Sequence, residues 1–131
     1  MIKLNNPGNI RISDTPWQGK VAPSRDEAFE TFDTPEHGLR AMAKILLTYF
    51  ERGLNTIELI IPTWAPPSEN NTDAYIDDVC DRSGFDSDRI LEAGATTLCS
   101  LVSAIVWHEN GRNPYTDQQI AAGVALAMHE T

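Results

Sequence analysis

Along most of this chain, apolar residues recur three and four positions apart, in stretches separated by prolines, glycines and short polar residues. That spacing gives each stretch one apolar stripe as a helix, and several such stripes are satisfied only by packing around a shared core. The clearest stretch opens at Thr34, a capping residue, with Pro35 suited to the first helical position. Leu39, Met42, Ala43, Leu46, Tyr49 and Phe50 then follow until Gly53. A shorter helix is expected to carry Ile57, Ile60 and Ile61, with Asn55 and Glu58 as a capping box and Pro62 as its stop.

Asn71 or Thr72 can open a third helix, with Tyr75, Ile76 and Val79 on one side and Gly84 at its end. A helical turn is expected over 87–91. Thr96 or Thr97 then caps a longer helix that shows Leu98, Leu101, Val102 and Ile105 on one face and ends near Gly111. Thr116 caps the last, with Ile120, Val124 and Met128 inward. The first 33 residues are punctuated by Pro7, Gly8, Pro16, Gly19 and Pro23, leaving short extended pieces at 9–12 and 28–32. The pattern predicts a mainly α (α+β) chain with a small loop-rich or β-hairpin lobe, and 131 residues suit a single domain spanning 1–131.

A net charge of −9 argues against nucleic acid or an anionic bilayer as a partner, since both are held chiefly by clustered Lys and Arg. The same charge gives no long-range attraction to any other anionic polymer. No run of about 18 apolar residues is available to span a membrane, and the start of the chain lacks the apolar core of a signal peptide. Synthesis in the cytoplasm without a signal peptide is therefore expected, with delivery by other means to any target outside it. Cys80 and Cys99 do not fit a zinc spacing and are expected as buried free thiols.

His37, His108 and His129 lack the His-Glu-x-x-His arrangement, so neither a metal nor another cofactor is expected. The chain also lacks a phosphate-binding Gly-Lys-Ser/Thr loop and a Gly-x-Ser-x-Gly elbow.

Glu109 continues the apolar stripe of Leu98, Val102 and Ile105. A carboxyl there is expected to be partly desolvated, and it lies in the last helical turn, beside carbonyls of negative partial charge. Both effects favour the protonated form, which suits a general acid. The alternative is a rim residue whose carboxylate points into water.

The run from Ser103 to Tyr115, Ser-Ala-Ile-Val-Trp-His-Glu-Asn-Gly-Arg-Asn-Pro-Tyr, resembles the catalytic helix end of lysozyme-like lytic transglycosylases. A second block, Asn5-Asn-Pro-Gly-Asn-Ile-Arg11 with Trp17-Gln-Gly19 and Phe29-Glu-Thr-Phe32, is similar to the region after the catalytic residue in the same superfamily, bacterial glucosaminidases included. His37-Gly-Leu-Arg-Ala41, Trp64-Ala-Pro-Pro67 and the segment from Glu69 to Tyr75 resemble small structural or virion proteins of phages and prophages.

The resemblance implies a lysozyme-like fold acting on peptidoglycan, with Glu109 as the catalytic acid. The two blocks stand in reversed order, which implies a circular permutation and predicts that Met1 and Thr131 lie close together.

A glycan cleft needs flat aromatic faces for sugar rings and amides for hydroxyl and acetamido groups. Trp64, Asn70, Asn71 and Tyr75 are candidates for one wall, and Asn9, Arg11 and Trp17, with Tyr115 beside the acid, for the other; any of the aromatics can equally be core. A second carboxylate is not obvious. Asp14 and Glu30 are candidates, but the family resemblance implies that one acid/base suffices where the substrate's own hydroxyl attacks. The expected partner is peptidoglycan, with other virion proteins as further partners. Two rivals stand beside the enzyme: a virion structural or wall-binding module without catalysis, and a protein-binding module using Trp64-Ala-Pro-Pro67 as an exposed anchor.

Overall fold

A computed structural model describes residues 1–129 as five α-helices, a short 3-10 helix at Ile2–Leu4 and a small two-stranded sheet. The helices are α1 (Pro35–Glu51), α2 (Ile57–Trp64), α3 (Thr72–Ser83), α4 (Ala95–Asn110) and α5 (Asp117–Met128). The strands β1 (Lys20–Val21) and β2 (Thr31–Phe32) pair antiparallel, with Lys20 opposite Phe32. The expected α+β composition is thus present. The expected closeness of Met1 and Thr131 involves residue 131, which lies outside the described residues.

α5 packs on α1 and α4, while α3 packs on α4 and α2. Their inner faces join in one contiguous buried cluster that includes Leu39, Leu46, Ile60, Tyr75, Leu101, Ile105 and Val124. Close approach depends on two glycines. A Cβ on Gly123 would lie 2.5 Å from the Cβ of Leu39, so α5 can press against α1 only without a side chain there. Gly38 does the same for the first lobe, since its Cβ would fall 1.8 Å from the Asn5 carbonyl oxygen.

Where caps follow sequence signals, the structure uses them. The Thr34 hydroxyl accepts from the His37 N–H, Asn71 accepts from Ala74, and Thr116 forms a full capping box with Gln119. Elsewhere tertiary contacts override local signals. α2 has Thr56 at its N-cap rather than a box of Asn55 with Glu58, because the Ser87 carbonyl takes the Glu58 N–H at 3.1 Å. The same exchange corrects the helical turn expected over 87–91: Leu91 N–H goes to the Asn55 carbonyl, and only one tight turn remains at 86–89.

Pro62 lies inside α2 rather than ending it. The bond its ring forfeits would run to the carbonyl of Glu58, an exposed residue, and two more residues complete the helix. α4 starts two or three residues earlier than Thr96 or Thr97 would place it, with Gly94 at the cap. On α5, Met128 is exposed, and Ala127 takes the inward position instead.

In the first lobe the two extended pieces meet through an isolated bridge between Arg11 and Phe29, flanked by bonds from Ile12 N–H to the Ala28 carbonyl and from Glu30 N–H to the Ile10 carbonyl. The buried Asn6 side chain ties this loop together, donating to the carbonyls of Ile10 and Glu30 and accepting from Ile10 N–H, each at 2.9 Å. A buried amide with its partners supplied fixes a loop that has little regular structure of its own. Cys80 and Cys99 are free, as expected, but half-buried rather than fully enclosed. Among the described residues no helix is long and apolar enough to cross a membrane.

Candidate active site

The C-terminal end of α4 faces the first lobe, and there the two resembling blocks meet. Asn9 Nδ2 donates to Glu109 Oε1 at 2.7 Å, and the neighbouring Asn110 donates to the Pro7 carbonyl at 2.8 Å. Residues a hundred positions apart are thus joined by two adjacent hydrogen bonds. Asn9 adopts a left-handed backbone conformation, φ 53°, which asparagine tolerates better than most residues. Its side-chain oxygen accepts from the Met1 ammonium, so its amide nitrogen is turned to Glu109. Burial pushes that ammonium down to about 6, against the opposing pull of Glu109.

The other oxygen of Glu109 accepts from the Tyr75 hydroxyl at 2.6 Å. Tyr75 is fully buried on α3, so its phenol approaches the half-buried carboxyl from the core side. Burial first, and then the neighbouring Glu109, raise the Tyr75 hydroxyl far above its ordinary value; it is a proton donor throughout the physiological range. The Trp64 side chain, close to the same hydroxyl, acts in the opposite direction. Tyr75 also stacks on His108, ring centroids 3.7 Å apart. Tyr75→Phe keeps the ring but removes the donor, and it is expected to lower stability by about 1 kcal/mol in urea unfolding, the usual net size of a hydrogen bond within a protein.

Behind the stack, the two oxygens of Asp78 are taken separately, Oδ2 by His108 Nδ1 and Oδ1 by Arg82 Nε, each at 2.9 Å. Burial opposes ionisation of Asp78, but these two hydrogen bonds outweigh it and hold the carboxyl below its ordinary 3.8. A depressed folded value stabilises the native state while the carboxyl is ionised and is lost as pH falls from the unfolded value toward the folded one. Melting temperature is therefore expected to drop below about pH 4, and to drop less steeply in Asp78→Asn; equal slopes in a pH series would contradict this.

Glu109 lines an open groove of about 500 Å³ between the first lobe, α1 and the end of α2. Of the residues expected to form a cleft, Asn9, Arg11, Trp64 and Asn70 line it with Glu109. Tyr75 stands behind, touching the acid rather than the groove. Asn71 is outside the lining because its side chain caps α3. Trp17 and Tyr115 are also outside: both are half-buried against the core, with the indole N–H and the phenol hydroxyl enclosed.

Neither proposed second carboxylate reaches the groove. Asp14 is exposed on the lobe, and Glu30 is buried with Lys20 Nζ 3.0 Å from one oxygen. Glu69 lines the groove instead, together with Phe29 and Tyr49. The sequence holds a partial signal for them: Glu69 lies between Trp64 and Tyr75, and Tyr49 follows Ile45 by one turn on the outer edge of the α1 stripe. Gly8 admits Trp64 to the wall, since a Cβ there would lie 3.0 Å from the indole ring. Among the described residues no group of three or more His, Cys, Asp or Glu side chains is placed to hold a metal ion.

No protein-family model matches the chain. It is 40% identical over 126 residues to "Protein P5" of Pseudoalteromonas phage PM2, an alignment that takes in 93% of this chain and 78% of the phage protein.

Proposed function

The chain belongs to the family of protein P5 of Pseudoalteromonas phage PM2, and from that premise we propose that it is a phage-derived enzyme cleaving peptidoglycan glycan strands, as a muramidase or lytic transglycosylase of lysozyme-like, circularly permuted fold. The observation that carries this reading is the half-buried carboxyl of Glu109 in the wall of an open groove, held by Asn9 and Tyr75. Trp64 and Phe29 offer flat faces to sugar rings, and Asn70 an amide to their substituents. Glu109 donates a proton to the glycosidic oxygen and, as the carboxylate, takes one back from the attacking hydroxyl. Asp14 and Glu30 lie outside the groove, and Glu69, the other carboxylate in its lining, lies beside Arg11; attack by a hydroxyl of the substrate itself is the preferred route. Arrival at the wall with a virion accounts for activity outside the cytoplasm.

A second reading draws on a specific observation: both oxygens of Glu109 are engaged by protein donors, an arrangement that also suits a non-catalytic virion or wall-binding protein. Incubation with purified sacculi separates the two. The enzyme is expected to release muropeptides, and mass spectrometry of an anhydro or a reducing sugar end distinguishes the transglycosylase from the muramidase. Wall binding without any soluble fragment would leave the structural reading.

A further inference from the structure

Resting on that reading, we infer that Arg11 selects glycans bearing a free carboxylate, and that Glu69 holds its place while the groove is empty. Arg11 is the only basic residue in the lining of the groove among the described residues. Its guanidinium lies over the Phe29 ring, 5.2 Å from the centroid, and the backbone bridge between Arg11 and Phe29 fixes the base of both side chains. The cation is thereby set on one wall, with planar donors free to meet a carboxylate side by side.

Glu69 comes from the loop between α2 and α3 and lies 3.8 Å from Arg11 Nη2. That distance is too long for a hydrogen bond, and both side chains are more than half exposed, at 62% and 58%. Such a pair is weak and readily displaced. A substrate carboxylate making two direct hydrogen bonds to the same guanidinium competes well against it.

The need for such a group follows from charge. A chain of net −9 gains nothing at long range from an anionic glycan, and Glu69 and Glu109 both face the groove. Unless a local cation compensates, an acidic sugar or peptide stem meets repulsion at close range. Arg11 supplies that compensation, so acidic saccharides are favoured over neutral ones of the same length.

The test is calorimetric binding with the full chain and three soluble probes. These are a disaccharide-peptide fragment of peptidoglycan with free carboxylates, the same fragment with those groups amidated, and a neutral chitooligosaccharide. The wild type is expected to bind the free acid about tenfold more tightly than its amide, the size of one charge-assisted pair at an open site. Arg11→Gln is expected to remove that preference, so that the acid and its amide bind alike, and Glu69→Gln is expected to widen it. Equal affinities for acid and amide in the wild type, with the chitooligosaccharide still bound, would overturn the role of Arg11 and leave the glycan groove intact. Failure of all three probes to bind would overturn both.

Discussion

Glu109→Gln is expected to lower release of soluble fragments from purified sacculi roughly 100-fold or more, while the protein stays folded. The amide has the shape of the acid it replaces. Its oxygen can still accept from Asn9, while its nitrogen faces the Tyr75 hydroxyl, whose buried proton loses its acceptor. One hydrogen bond survives and the other is weakened, so the fold is retained and thermal unfolding should fall by a few degrees. What the amide cannot do is deliver a proton to a departing sugar oxygen. The comparison thus isolates proton transfer from packing. Equal release by both proteins would show that the carboxyl holds the two lobes together and does no chemistry.

Much of the helical architecture is legible in the sequence because it is set by short-range spacing. Thr34 with Pro35, Asn71, and Thr116 with Gln119 announce their helices through groups a few residues away. The misreadings fall where a distant partner decides. Ser87 supplies the cap that Asn55 and Glu58 were expected to make, and the same exchange leaves one tight turn where a helical turn was expected. Pro62 survives inside α2 because the lost bond lies on an exposed side.

The site divides in the same way. Glu109 is marked by the apolar stripe it terminates, and Asn9 and Arg11 by a motif resemblance, but nothing local says that residues 9 and 109 touch. Aromatic residues are least legible. A tryptophan serves equally as core or as sugar platform, and only coordinates show that Trp64 faces the groove while Trp17 packs inward. Glu69 is illegible in the sequence for a related reason: its pairing depends on Arg11, 58 positions earlier.

Gly38→Ala is expected to destabilise the protein by about 3 kcal/mol, reversing the sign that helix propensity alone would give. In an exposed helix this change favours folding by about 1 kcal/mol. Here the added Cβ would lie 1.8 Å from the carbonyl oxygen of Asn5, and a backbone atom cannot swing aside as a flexible side chain would. Nor can the loop yield alone. Asn5 donates to the Phe32 carbonyl at 3.1 Å, and the adjacent Asn6 is fully buried with three bonds to the lobe. Overpacking of this kind costs about 1–3 kcal/mol even where the surroundings relax, and here relaxation also threatens buried hydrogen bonds. The shift reaches the site as well, because Pro7 and Asn9 are the points at which the lobe grips Asn110 and Glu109. Wall digestion by Gly38→Ala should therefore fall further than its folded fraction in urea unfolding accounts for. A variant as stable as the wild type would mean that the lobe does not press on α1 as closely as Gly38 permits. If stability fell but activity tracked the folded fraction alone, Asn9 would keep its hold on Glu109 by some route other than the Asn5 contact.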